Sequence, residues 1–393
     1  MVNIVTIYWN VQVQEIKKFK NNFVKRIKVQ PNILIVHPEG NINFNQNLLG
    51  IVEILCELGI HIEIACRKRD IYQFPPHGNS RIFFYDTNIP RQEFSDWKLI
   101  IGVDRDGVIE AAKIARILSI PYIYLSYELF FEDETSVEFK DQEREACLHI
   151  SAAITQDSKR AKLLCKETNI DPNKILLLPF GGRPISQQKR NLYLREKFGI
   201  SVNKKIALMM GGLHHHTLYQ KIVETLKAWP QDWVFVLHGR YGIEGDLFKF
   251  LNEFTYYKNF YLSRQSLENQ SDLETLLGSA DLGIALYNAT YHSEYDGKNI
   301  KYIGMASGKI ATYLQHGLPV MTNEIGILSE YVKEYHLGVV VKKPIDIPLS
   351  LCNFDPINLR GNCVDFFDEH LSLDKLILPL LGKIIKLIEN EAG

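Results

Sequence analysis

A chain of 393 residues is long enough for two α/β domains, each with its own core. Its 45 Lys and Arg against 46 Asp and Glu give a formal net charge of −1, so no basic field marks it for nucleic acid. Hydrophobic residues make up 46% and charged ones 23%, ordinary for a globular chain, with no apolar run long enough to span a bilayer and no signal-peptide core at the start.

The six cysteines (Cys56, Cys66, Cys147, Cys165, Cys352 and Cys363) are scattered without a CxxC. That pattern favours buried free thiols in a reducing cytoplasm over disulfides or zinc. Residues 15–28, EIKKFKNNFVKRIK, set Ile16, Phe19, Phe23 and Ile27 at helical spacing with Lys and Arg between. Such a basic amphipathic helix suits an anionic membrane surface, where apolar burial and charge attraction add. The competing reading is a helix packed on its own domain.

Residues 32–37 are the first buried strand. A turn over 38–41, a helix near 47–58 and a strand over 61–66 complete a βαβ opening, the start of a parallel, doubly wound sheet. There is no GxGxxG, so a nicotinamide or flavin site has no support. Residues 97–103 predict another buried strand, ending at Asp104-Arg105-Asp106-Gly107, with a helix over 108–118. The next strand, 121–125, runs into Ser126-Tyr127-Glu128. Asp104 and Glu128 therefore both fall just past strand carboxyl ends, where doubly wound sheets place ligands. Helical residues 143–168, broken by a strand at 153–155, lead to a last strand at 174–179 and a hinge at 180–184.

A second domain opens with a helix near Leu192 and a strand over 205–210, followed by Gly211-Gly212-Leu213 and His214 to His216. Glycine after a strand lets a ligand approach the backbone closely. Adjacent loop histidines rarely converge on one ion without carboxylates. One of them, His214, is read as a hydrogen-bond donor to a phosphate or sugar. A helix over 218–229 and strands over 233–238 and 259–262 follow, delivering Arg240 and Arg264. The planar fork of Arg240 suits phosphate oxygens. After a helix at 273–278, a strand at 281–287 and a polar, aromatic-rich loop, Ser307-Gly308-Lys309 starts a helix. Backbone N–H groups and the positive dipole end make that start an anion site. Gly317 and Pro319 stop the helix, and a buried strand begins.

The run KIATYLQHGLPV resembles the K-L-x-E-Y-L-A-x-G-x-P-V signature of GT-B glycosyltransferases, particularly the retaining family 4. The likeness covers most of residues 32–345 and implies an α/β architecture of two Rossmann-like, doubly wound domains facing across a cleft. Residues 1–183 would be the acceptor-side domain and 184–372 the nucleotide-sugar domain. Residues 373–393 would close the chain as a helix, kinked by Pro379, that packs back on the first domain. The resemblance further implies that Gly211, Gly212, Ser307, Gly308 and Lys309 hold the donor diphosphate. Arg264 would lie where the base binds, and Gly40-Asn41 would match the glycine loop at the cleft. Thr312 stands where the family has a ribose-binding Glu, and Tyr127 where it has a His.

Asp104 and Glu128 are the candidate catalytic carboxylates, stabilising charge on the sugar or acting as base. Asp104-Arg105-Asp106 also matches the DxD of metal-using, single-domain glycosyltransferases. Its place in the first domain, far in sequence from the phosphate helix, argues against a bound ion. No metal or other cofactor is implied, the nucleotide diphosphate sugar being a co-substrate. The expectation is a cytoplasmic hexosyltransferase, possible peripheral membrane contact included, that acts with retention on a glycan or lipid-linked acceptor. Two rivals share the fold: a nucleotide-sugar 2-epimerase, and a non-catalytic sugar-, nucleotide- or partner-binding subunit, which Thr312 and Tyr127 would suit.

Overall fold

The computed structural model describes residues 31–390 apart from 41, 43–44, 68–77, 94, 186–188, 240–241 and 268–269. The basic segment 15–28, Asn41 and Arg240 lie outside the described residues. The chain divides into two compact units, one running to Arg183 and resuming at Leu371, the other Pro184–His370.

The first unit is built on seven strands: β1 (Asn32–Val36), β2 (His61–Cys66), β3 (Ser80–Phe84), β4 (Trp97–Val103), β5 (Tyr122–Leu125), β6 (Ala152–Thr155) and β7 (Ile175–Leu177). All pairs are parallel, in the order β3-β2-β1-β4-β5-β6-β7. Apolar runs such as Ile33–Val36, each residue 0% exposed, form strands because a parallel sheet is covered on both faces. β3 is not apparent in the sequence, since SRIFF is an edge strand with an exposed Arg81. Ile33 and Ile35 share a core with Ile51 and Leu55 of the helix Gln46–Glu57 and with Leu381 and Ile384 of the last helix.

The returning chain is pinned to this unit. Leu373 N–H donates to Gly182 O at 3.0 Å, and Asn47 Nδ2 to Gly181 O at 3.0 Å. A Cβ on Gly181 would lie 1.7 Å from Leu371 O, so only glycine fits. The kink expected at Pro379 is instead a break between Leu373–Leu376 and Leu378–Asn390. Pro379 then sits in a first helical turn, where its missing N–H has no intrahelical role.

The second unit carries β8 (Lys205–Gly211), β9 (Trp233–Gly239), β10 (Phe260–Ser263), β11 (Leu282–Ala285), β12 (Val320–Thr322) and β13 (Gly338–Val340). They are parallel in the order β10-β9-β8-β11-β12-β13. The helix predicted over 218–229 is only Tyr219–Val223 with a separate turn at Leu226–Ala228. The helices Gly245–Asn252 and Arg360–His370 have no counterpart in the sequence reading. In each sheet the strand order reverses once, between β1 and β4 and between β8 and β11. Such switch points are where open parallel sheets bind ligands, past the carboxyl ends.

None of the six cysteines is in a disulfide, and Cys352 is exposed rather than buried. Among the described residues, no helix is long and apolar enough to cross a membrane.

Candidate active site

In the first unit, the helix after β4 is Asp104–Leu118, four residues longer at its start than the periodicity predicts. Asp104 does not cap it: Val103 holds the cap position, with no side-chain bond. Asp104 itself adopts a left-handed backbone (φ 56°). Its Oδ1 accepts the N–H groups of Tyr127 (2.7 Å) and Glu128 (2.8 Å), so it fixes the turn that follows β5. Burial and the neighbouring Glu128 carboxylate push the Asp104 pKa up to about 8, against the pull of those two N–H groups and of Arg160. A carboxyl poised there can exchange a proton near neutral pH.

Arg160 was not singled out by its sequence. It is 1% exposed, bonds Gln156 Oε1 at 2.8 Å and donates to the Tyr127 carbonyl. Tyr127 is a structural post, its hydroxyl on Asn47 Oδ1 at 2.8 Å and its ring edge-on to Phe180. Glu128 is half-buried beside it. Asp106 pairs instead with Arg105 (3.3 Å) and Arg67 (3.7 Å). Gly40 closes the turn after β1 with φ 73°. His37, which the apolar pattern takes in as the end of the strand, lies between β1 and that turn. It is 5% exposed, and burial pulls its pKa down to about 4.

In the second unit, β8 ends at Gly211 with φ 106°, a backbone that favours glycine. A Cβ there would stand 3.4 Å from Lys309 Cε and 3.9 Å from its Nζ. The Lys309 ammonium therefore lies over the Gly211 backbone. Lys309 belongs to the first turn of the helix Gly308–Gln315, capped by Ser307, whose Oγ accepts Ile310 N–H at 3.4 Å. Ala311 N–H bonds Ser307 O, so the N–H groups of Gly308 and Lys309 come before the first intrahelical backbone donor. Tyr287 OH steadies Ser307 Oγ at 2.9 Å, and Tyr313 locks the helix to β8 through Met210 N–H at 3.1 Å. The Tyr313 ring lies where a Cβ on Gly283 would be, 2.4 Å from its nearest ring atom.

His214 is exposed and stacks on His216, whose Nδ1 pairs with Asp296 Oδ1 at 2.9 Å. Burial lowers the His216 pKa, opposed by Asp296. Among the described residues, no three His, Cys, Asp or Glu side chains are placed to hold a metal ion. Arg264 stands two strands from β8, exposed, its guanidinium 4.0 Å over the Phe248 ring.

Solved structures of the same architecture are numerous. A glycosyltransferase from Rickettsia africae aligns with TM-score 0.64 at 14% identity, covering 92% of this chain and 99% of its own. Anabaena HepE, solved with UDP-glucose, aligns with TM-score 0.61 at 13% identity over 92% and 98%. The α,α-trehalose 6-phosphate synthase of Burkholderia multivorans gives 0.59 at 10% identity over 93% and 100%. The fold is GT-B. No protein-family model and no curated protein matches the chain. Within this GT-B chain, Thr312 sits one turn into the helix that Ser307 caps. Its hydroxyl donates to Gly308 O at 2.8 Å, one turn back in its own helix.

Proposed function

We propose that this chain is a glycosyltransferase that takes a sugar from a nucleotide diphosphate sugar. The observation that carries the reading is the Lys309 ammonium held over the Gly211 backbone at the start of the helix Gly308–Gln315. Glycine backbone, a cation and a helix N-terminus together suit a diphosphate, and they would stabilise the charge it gains as a leaving group. A structural neighbour solved with UDP-glucose supports a nucleotide-sugar donor here as well.

In the finer reading, transfer goes with retention to a glycan or lipid-linked acceptor, as in family 4, without a metal ion. The Asp104 and Glu128 carboxyls would serve the sugar or the acceptor hydroxyl. A second reading, a binding subunit without turnover, is favoured by Thr312, whose hydroxyl is engaged by its own helix, and by Tyr127, which is engaged by Asn47. A thermal-shift screen over UDP-, GDP-, ADP- and dTDP-sugars, followed by a release assay on the best ligand, separates them. Binding with sugar transfer or slow donor hydrolysis supports the enzyme. Binding with neither, at any enzyme concentration, supports the subunit.

A further inference from the structure

Among the described residues, three buried histidines have a ring nitrogen without a hydrogen-bond partner: His37, His238 and His316. His238 keeps Nδ1 on Ser263 Oγ at 2.9 Å, and His316 keeps Nδ1 on the Thr312 carbonyl at 2.8 Å. His37 has a partner for neither nitrogen. Whichever tautomer it adopts, one donor and one acceptor go unmet in a 5% exposed side chain. Groups left that way cost stability, and a fold tolerates them best where a ligand completes them.

The position is informative. His37 directly follows β1, which pairs with β2 on one side and β4 on the other, so it stands at the switch point of the first sheet. Gly107 presses the first turns of the helix Asp104–Leu118 onto the same strand end, since a Cβ there would lie 2.6 Å from Val36 O. That helix opens with Asp104 and Asp106, and Glu128 follows on the neighbouring edge. The Glu128 carboxylate, close enough to raise the Asp104 pKa, disfavours a phosphate or other anion at this place. A hydroxyl group offers one donor and up to two acceptors without charge, which is what an uncharged imidazole needs.

We infer that His37 is a substrate-binding residue whose imidazole hydrogen-bonds an uncharged sugar hydroxyl at the carboxyl edge of the first sheet. The inference rests on the glycosyl-transfer reading above. The ring is covered, so the adjoining turn, in which Gly40 N–H bonds His37 O at 3.0 Å, gives way as the hydroxyl enters. The hydroxyl belongs either to the donor's sugar or to an acceptor saccharide.

The test uses the full chain with His37→Phe and His37→Leu, both of which remove the unmet nitrogens without leaving a polar group. Three quantities are compared with the parent: unfolding by urea, affinity for the best nucleotide sugar and its bare nucleoside diphosphate, and binding of methyl glycosides of glucose, galactose, mannose and N-acetylglucosamine. Stability should hold or rise in at least one variant, with the bare nucleotide bound as before. A roughly tenfold to hundredfold loss for the nucleotide sugar alone assigns the hydroxyl to the donor. The same loss for a glycoside alone assigns it to the acceptor. Equal behaviour of parent and folded variants throughout, absence of glycoside binding in both included, overturns the proposal and leaves His37 a structural residue. A parent that binds no nucleotide sugar fails the glycosyl-transfer reading itself, without reference to any variant.

Discussion

Replacing Gly211 with alanine should lower stability and weaken donor binding, two effects that can be measured apart. At φ 106° an L side chain is strained, at a cost of about 1–3 kcal/mol in stability. The new methyl would also stand 3.4 Å from Lys309 Cε, in contact with the lysine stem. The methyl covers the backbone where a phosphate would approach, between it and the lysine. A charge-assisted contact is worth about 1.5–3 kcal/mol, so affinity for the nucleotide sugar should fall roughly tenfold to a hundredfold. Urea unfolding gives the first effect and calorimetric titration the second. A control is Gly382→Ala, whose Cβ meets nothing within 4 Å. If Gly211→Ala folds and binds the donor as tightly as the parent, the diphosphate does not lie on this glycine.

Three further outcomes follow from the same geometry. Gly382 lies inside the helix Leu378–Asn390, so Gly382→Ala should stabilise the chain by about 0.5–1 kcal/mol in urea, and a loss would mean the helix is packed more tightly there. The Asp104 carboxyl, raised from 3.8 to about 8, makes the folded chain hold more protons than the unfolded one across that window, so parent stability should decline as pH rises through it. Asp104→Asn keeps an acceptor for Tyr127 and Glu128 N–H but removes the titration. Its stability should fall less than the parent's between pH 5 and pH 8, while turnover drops; parallel pH curves would show that Asp104 titrates like an ordinary carboxylate. Sugar transfer should survive EDTA, and an activity lost on chelation and restored by manganese would assign the chain to metal-dependent chemistry.

The strands were legible because a parallel sheet covered on both faces demands apolar runs, and 61–66 and 97–103 end where the structure ends them. The start of the helix Gly308–Gln315 was legible for a local reason: Ser307 caps it within three residues. β3 was lost because an edge strand carries polar residues, and Arg360–His370 because Cys363, Phe366 and Phe367 alone form its buried stripe. The start of the helix at Asp104 was missed since a left-handed aspartate opens it, which no periodicity signals. Contacts across long separations were beyond reach for the same physical reason. Tyr127 meets Asn47, His216 meets Asp296 and Tyr313 meets Met210 only after tertiary folding. Thr312 could be seen to replace a glutamate, but its bond to Gly308 depends on a rotamer that the sequence does not state.

The decisive experiment is calorimetric titration of the parent and of Lys309→Ala with the panel of nucleotide sugars and their nucleoside diphosphates. Lys309 sits over Gly211 and is half-buried rather than part of the core. One nucleotide should bind the parent, with and without its sugar, and Lys309→Ala should bind both forms at least about tenfold more weakly while unfolding at the same urea concentration. A parent that binds none of the panel, or a folded Lys309→Ala that binds the nucleotide as the parent does, would contradict a diphosphate site at this helix.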